Sequence, residues 1–492
     1  MYHPGALASF SCLVLSCSCG SVASFRRDAT GRDSSLELAV VRSILRRRRW
    51  SSYLTGEGHR SSQWYLWPLI LGVASGTALG TAFLGGTATL TAQTAYISAG
   101  AGCPVSGGWS SYPPSGPATS ETAGGMAYDA LDGYVVYFGG YTGSGSTYVG
   151  ATWEFAGGCW KQLGNPLSPS PDGRSQFSMV WDGGDNEVLL FGGSDAGSQC
   201  STSNSYYFYL CGDTWKFSGG AWTEVCSNGD TTNSSACSPS PQPRFGAMMA
   251  YDPVQNDCKI GTVTSPPTTG CVILFGGLIC NSGCTGSSEA DADSSLIWEF
   301  YGGHWYDTGS SATPTSRDSG MLIYDSVDNY LLLYGGEHQT CSSGSCTFTG
   351  GGCVYDNKNS FCDDAWSFTG AAWTQQCTST ADVWGNTVNA CYPVGREGSG
   401  MVYDSYRTFT MMYGGYSGVI SKNDTDAYGY ASGAWYWAAG SGGTGNWKAM
   451  TGPGVSRDSP SMVYDAGVQD SYVLVLGGDN HAGYYYTTYV FK

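Results

Sequence analysis

Charge is scarce in this chain. Only 12% of its 492 residues are Asp, Glu, Lys or Arg, and none lies between Arg60 and Glu121. Positive charge is scarcer still beyond the first 63 residues. These hold nine Arg against Asp28, Asp33, Glu37 and Glu57, which leaves 13 basic and 35 acidic residues, a balance of −22, for the rest. A body that acidic repels phosphate backbones and excludes nucleic acid as a partner. Histidine is rare, five in all. No nucleophile elbow, phosphate loop or zinc-ligand spacing occurs, so the sequence marks of several large enzyme classes are missing.

What the chain has instead is Gly (73), Tyr (34) and Trp (17). Glycine turns and aromatic side chains in this proportion suit many short strands joined tightly. Low charge density with many hydroxyl groups also fits an acidic habitat, because fewer carboxylates means less charge change on protonation.

The uncharged window contains residues 64–86, WYLWPLILGVASGTALGTAFLGG. About 20 mostly apolar residues suffice to cross a bilayer. RRRRW at 46–50 lies just upstream, so the positive-inside bias puts the basic tail 1–63 in the cytoplasm and the C-terminal body outside, after a stalk at 87–106. The alternative is a cleaved signal sequence and a secreted product. Both readings export the body.

The cysteines agree with export. Sixteen of the 19 follow the apolar segment, as Cys103, Cys159 and the near neighbours Cys200/Cys211, Cys226/Cys237, Cys258/Cys271, Cys280/Cys284, Cys341/Cys346, Cys353/Cys362 and Cys377/Cys391. Such pairing points to disulfides in an oxidising compartment. Cys103 and Cys159 each precede a Trp-bearing strand and are expected to bridge the two ends of the repeat array.

An aromatic-Asp pair recurs six times, at Tyr128, Trp181, Tyr251, Tyr324, Tyr403 and Tyr464. Each is followed by a strand-like run ending in Gly-Gly: YVVYFGG, EVLLFGG, CVILFGG, YLLLYGG, FTMMYGG and YVLVLGG. A variable loop leads to an aromatic at 153, 215, 298, 366, 428 or 489, and in five copies a second follows seven residues on, at Trp160, Trp222, Trp305, Trp373 and Trp435. Each copy reads as four strands, a to d, with a glycine turn between c and d. The sixth lacks strand d before Lys492, while GGWSSY at 107–112 is a strand d ahead of the first copy. A ring of six closes if that strand joins the last copy, leaving no exposed edge.

This Gly-Gly with paired aromatics resembles the kelch repeat of the galactose oxidase central domain and its relatives. The resemblance covers 107–492 and implies an all-β fold, a six-bladed β-propeller closed by an N-terminal strand. In such a ring the a–b and c–d turns share one face, and the long, cysteine-rich b–c loops share the other, where binding function usually lives. The stalk then enters on the tight-turn face, which is expected to look toward the membrane.

Seven residues before each aromatic-Asp pair stands Arg174, Arg244, Arg317, Arg396 or Arg457, with Glu121 at the matching place in the first copy. As a ring at the channel mouth these would bind carboxylates and acidic sugars; the alternative is internal pairing with carboxylates or carbonyls. A copper site of the galactose oxidase type is not expected, since only His304, His338 and His481 lie in the body and no matching Tyr-His pair is visible. No cofactor is expected, although acidic runs at 289–295 and 423–426 would offer oxygen ligands to calcium. The expected function is an exported cell-surface module binding a glycan, an envelope component or an extracellular protein. The alternative is a mutarotase- or oxidase-like enzyme acting on a sugar at the channel mouth.

Overall fold

The computed structural model describes residues 109–112, 116–117 and most of 121–492, with principal gaps at 259–268, 281–290, 378–392 and 418–432; before residue 109 it describes four short strands. The chain divides into two compact units, Met1–Ala101 and Gly102–Lys492. In the first, Leu13–Cys17 pairs antiparallel with Ser21–Phe25, and Gly72–Ala74 with Thr77–Leu79. The second pair lies within the 64–86 segment; the remainder of that segment and the stalk lie outside the described residues. No helix among the described residues is long and apolar enough to cross a membrane.

The second unit is built from antiparallel sheets, consistent with a propeller. Its four-stranded repeats, in the order a, b, c, d, are as follows. Sheet one comprises Gly125–Asp129, Tyr134–Phe138, Thr152–Ala156 and Cys159–Gly164. Sheet two comprises Ser178–Asp182, Glu187–Phe191, Thr214–Ser218 and Ala221–Cys226. Sheet three comprises Met248–Asp252, Cys271–Phe275, Leu296–Tyr301 and His304–Ser310. Sheet four comprises Met321–Asp325, Tyr330–Tyr334, Ala365–Phe368 and Trp373–Cys377. Sheet five comprises Gly400–Asp404, Phe409–Tyr413, Ala434–Ala439 and Gly445–Met450. Sheet six comprises Ser461–Asp465, Tyr472–Leu476 and Thr488–Phe491, and its fourth strand is the distant Trp109–Tyr112, with Phe491 opposite Trp109 and Thr488 opposite Tyr112.

Strand b explains why the sheets stack. Val135, Val136, Tyr137 and Phe138 are all buried, as are Val188 to Phe191 and Val272 to Phe275. A strand apolar on both faces needs cover on both. Apolar clusters supply it between each sheet and the next, and one joins sheet six to sheet one through Val463, Tyr472, Leu474, Val135 and Tyr137. Strands a neighbour one another in the same cyclic order and so lie innermost.

The Gly-Gly pairs lock neighbouring sheets. Both glycines of each pair have positive φ, for example 70° at Gly335 and 100° at Gly336. The N–H of Gly336 donates to the carbonyl of Arg396 in the next sheet at 2.8 Å, as Gly140 does to Arg174. A Cβ on Gly335 would sit 2.5 Å from that Arg396 oxygen, so glycine is required twice over.

Two residues beyond each arginine, and beyond Glu121, the backbone forms a closed circuit. The N–H of Ser459 donates to Gly398, Gly398 to Ser319, Ser319 to Gly246, Gly246 to Gln176, Gln176 to Ala123, and Ala123 back to Ser459, at 2.7–3.2 Å. All six residues have φ between 48° and 64°. Four are not glycine, a conformation that costs free energy and persists only where the surroundings impose it.

The disulfides Cys200–Cys211, Cys226–Cys237 and Cys258–Cys271 are formed as expected. Cys159, Cys362 and Cys377 are also disulfide-bonded. Register sets Cys341 opposite Cys346 and Cys353 opposite Cys362. The side chains of Cys103, Cys280, Cys284, Cys341, Cys346, Cys353 and Cys391 lie outside the described residues.

The fifth repeat corrects the sequence reading. Trp435 belongs to strand c, paired with Met412, and strand d carries Trp447. The connection 440–444, rich in Gly and Ser, replaces the two-residue turn and defeats the seven-residue rule.

Candidate functional site

The five arginines are not at the surface of a channel. Arg174, Arg244, Arg317, Arg396 and Arg457 are each 0% exposed. Each guanidinium reaches back to the carbonyl of the first glycine of its own repeat's Gly-Gly: Arg174 to Gly192, Arg244 to Gly276, Arg317 to Gly335, Arg396 to Gly414 and Arg457 to Gly477. This internal pairing is the second of the two roles expected for them.

Sheets two and four add a carboxylate. Arg174 Nη1 and Nη2 meet Asp213 Oδ1 and Oδ2 at 2.5 and 2.8 Å, and Arg317 meets Asp364 at 2.6 and 3.1 Å. The same carboxylates accept the indole N–H of Trp215 and Trp366. Burial, the largest single influence, lowers the Arg174 pKa, but the charge and hydrogen bond of Asp213 together with the charges of Asp195 and Asp172 outweigh it and the net shift is upward. Position 296 holds Leu, so Arg244 has no such carboxylate; burial pushes it down to about 9 and its Nη2 has no partner. The indole N–H of Trp298 is unpartnered too. The signal that separates the two classes was in the sequence: Asp two residues before the strand-c Trp, as Asp213-Thr-Trp and Asp364-Ala-Trp.

Arg457 solves the same problem with aromatics. Its guanidinium lies 4.7 Å from the ring centroids of both Tyr485 and Tyr489, and burial lowers its pKa. Glu121 lies in the short strand Glu121–Thr122, opposite Thr142, and its side chain is outside the described residues.

Period-two alternation explains what takes the arginines' place. Arg174–Ser175 is a short strand paired with Ser194–Asp195, just after the Gly-Gly, and the same pairing recurs as single bridges Asp318 to Glu337, Glu397 to Tyr416 and Asp458 to Asp479. If the arginine points into the sheet, the next residue points the other way. In sheets four, five and six that residue is Asp318, Glu397 or Asp458.

Their carboxyl groups converge. Carboxylate oxygens of Asp318, Glu337 and Glu397 lie within 4.8 Å of one another, although Glu397 comes from a different sheet. Asp318 and Glu337 are 3% and 6% exposed. Burial raises Glu397 well above the usual range, and so do the charges of Glu337, Asp458 and Asp318 and a hydrogen bond with Glu337. Burial and Asp479 push Asp458 up to about 7, against hydrogen bonds from Ser459. Five acidic groups from three sheets therefore face one another, and two of them, Glu397 and Asp458, hold their protons to higher pH than an ordinary carboxyl. They lie at the end of strands a and b that carries the b–c connections. Aromatic rings flank them: Phe361, backbone-paired with Glu337, meets Tyr416 edge to face at 5.7 Å.

Other candidates separate from this cluster. Asp195 lies beside Cys200 and Cys211, whose sulfurs are joined in a disulfide and therefore do not act as metal thiolates. His338 is buried with Nδ1 2.5 Å from the Ser316 carbonyl, and burial lowers its pKa. His304 sits at the turn end of strand d, opposite Tyr301. His481 and the side chains of the acidic runs at 289–293 and 423–426 lie outside the described residues.

Comparison with known proteins adds little to this geometry. No family model matches the chain, and no curated protein does. Among solved structures it is similar to one titled "Structure of YjhT", with 13% identity, covering 76% of this chain and 94% of that one at a TM-score of 0.45. The likeness is loose and concerns the kelch-like β-propeller fold alone.

Proposed function

We propose that residues 107–492 form a six-bladed kelch-type β-propeller, closed by strand 109–112 and exported across a membrane, whose b–c mouth binds carbohydrate. The backbone circuit of six and the pairing of Trp109–Tyr112 with Thr488–Phe491 support the closure. The tail and apolar segment at 1–86 support export, as do the three disulfides.

The convergence of Asp318, Glu337, Glu397, Asp458 and Asp479 carries the ligand reading. It reverses the polarity expected from the arginines. Carboxyl groups accept hydrogen bonds from sugar hydroxyls and attract ammonium groups, while repelling uronic and sialic acids. Tyr416, half-buried and backed by the buried Phe361, gives the mouth an aromatic flank suited to a sugar face.

The test is a glycan array probed with the oxidised full chain. Neutral or amino sugars should bind, with at least a tenfold loss in Glu397→Gln/Asp458→Asn and none in Arg244→Met. Binding of acidic glycans that Arg244→Met abolishes would overturn this reading, and silence across the array would move the ligand to protein.

The shared proton favours a second reading. An un-ionised carboxyl beside a carboxylate is the pairing that acid–base chemistry at an anomeric carbon requires. Faster exchange between anomers of a bound sugar, followed by NMR and lost in Glu397→Gln, would select an enzyme; binding without exchange would leave a binding module.

A further inference from the structure

The large hydrophobic side chains exposed among the described residues are Leu131, Val327 and Tyr406, at 45%, 59% and 74%. A lone exposed apolar residue needs no explanation. These three, however, occupy one structural position, the second residue after the aspartate of strand a. Each aspartate fixes the tip of its a–b turn by accepting that residue's N–H: Asp129 from Leu131 at 3.0 Å, Asp325 from Val327 at 3.1 Å and Asp404 from Tyr406 at 3.0 Å. The tips are held in place and aimed outward on the tight-turn face.

Their distribution around the ring is uneven. They stand on sheets one, four and five, and sheet six lies between five and one in the cyclic order of strands a. The chain enters the ring at sheet six. Because Trp109 pairs with Phe491 and Tyr112 with Thr488, Trp109, the first residue of this strand, lies at the tight-turn end of the sheet. Two hydrophobic tips therefore flank the exit and the third adjoins them. The matching turn of sheet two is Gly183-Gly184 and has no side chain to offer.

Two basic groups share this region of an acidic body. Lys492 follows Phe491 at the same end of sheet six. Arg407, next to Tyr406, pairs with Asp404 and lies 4.7 Å from the Phe491 ring, tying sheet five to sheet six. Apolar tips with Tyr, Arg and Lys beside them make an interfacial composition.

We infer that this arc of the tight-turn face, Leu131, Val327 and Tyr406 around the chain exit, docks on the surface of a lipid bilayer. The inference rests on the reading that 64–86 anchors the chain in a membrane. The 22 residues at 87–108 span at most ~75 Å, so the face stays within reach of the bilayer. A contact of three side chains is weak alone, but the tether raises its effective concentration. Asp132 and Asp328, beside Leu131 and Val327, select against anionic lipid. The occupant is therefore a zwitterionic surface such as phosphatidylcholine.

The test uses the full chain in phosphatidylcholine vesicles. Flotation at alkaline pH reports the anchor, and hydroxyl-radical oxidation read by mass spectrometry reports the tips. Oxidation of residues 131, 327 and 406 should fall at least threefold relative to the chain in detergent, with Tyr301 and Tyr306 unchanged, and part of this protection should disappear with one-third phosphatidylserine. A chain that does not float would overturn both the anchor and the docking. A chain that floats with unprotected tips would overturn the docking alone. Protection that appears equally in detergent at high protein concentration would assign the face to a second copy of the chain and overturn the lipid proposal.

Discussion

The buried arginines give the sharpest test, because sheets three and four differ in one partner. Arg317 and Asp364 are both 0% exposed and joined by two short bonds. Arg317→Met would leave Asp364 buried with the Trp366 indole N–H as its remaining donor in this network, and breaking a buried pair from one side costs about 3–5 kcal/mol. Arg244→Met removes bonds to the Gln242 and Gly276 carbonyls, each worth about 1 kcal/mol. It also removes a desolvated charge whose Nη2 has no partner, so the net cost is about 1–2 kcal/mol. Guanidinium unfolding of the oxidised chain, followed by tryptophan fluorescence, should therefore rank Arg317→Met below Arg244→Met by about 2 kcal/mol. Arg317→Met/Asp364→Leu should recover part of the loss. Equal losses in the two single variants would refute the carboxylate argument. Loss of ligand binding in Arg244→Met without loss of stability would return the arginines to the mouth.

Two further predictions concern the sheets. Asp458 and Asp182 are raised to about 7, chiefly by burial, and Glu397 is raised as well. The folded chain thus holds protons that the unfolded chain, with carboxyl pKa values of about 4, releases between pH 4 and 7. That contribution is complete below about pH 4 and is lost as pH rises through about 7. The thermal midpoint should be higher at pH 5 than at pH 8, with a smaller difference in Asp458→Asn; a flat or rising profile would sink the argument. The second concerns indole partners. Trp160, Trp222 and Trp305 donate to Thr488, Thr152 and Thr214 at the start of strand c in the preceding sheet. For Trp373 that place is taken by Ile297, and its indole N–H has no partner. Ile297→Thr should stabilise by about 1 kcal/mol as a shift in unfolding midpoint, and a destabilised variant would show that the lost methyl packing outweighs the bond.

The sheets were legible because their signals are local. An apolar run ending in two glycines marks strand b and an aromatic pair seven residues apart marks strands c and d, without knowledge of the neighbours, and the strand at 109–112 announced itself by resembling other strands d. The fifth repeat failed where Gly and Ser at 440–444 lengthened one turn. The acidic cluster was less legible. The arginines were found by position, but which side of the strand they occupy depends on a one-residue alternation. Nothing in the sequence alone gives the contact of Glu397 with Glu337 across two sheets.

That one-residue step decides the chemistry. A guanidinium turned inward finds carbonyl oxygens at a fixed place, because Gly192, Gly276, Gly335, Gly414 and Gly477 all present one there. The same turn sends Asp318, Glu397 and Asp458 to the opposite side, where the next residues, Ser319, Gly398 and Ser459, are fixed by the backbone circuit. The carboxyl groups cannot retreat from one another without breaking bonds that run from sheet to sheet, so burial first and their mutual repulsion second make Glu397 and Asp458 retain protons. The backbone circuit and the proton-retaining carboxyls are therefore one mechanical fact: a backbone that buries like charges together raises their pKa values, and Asp458, raised to about 7, is held partly protonated near neutral pH and is ready both to donate and to accept hydrogen bonds.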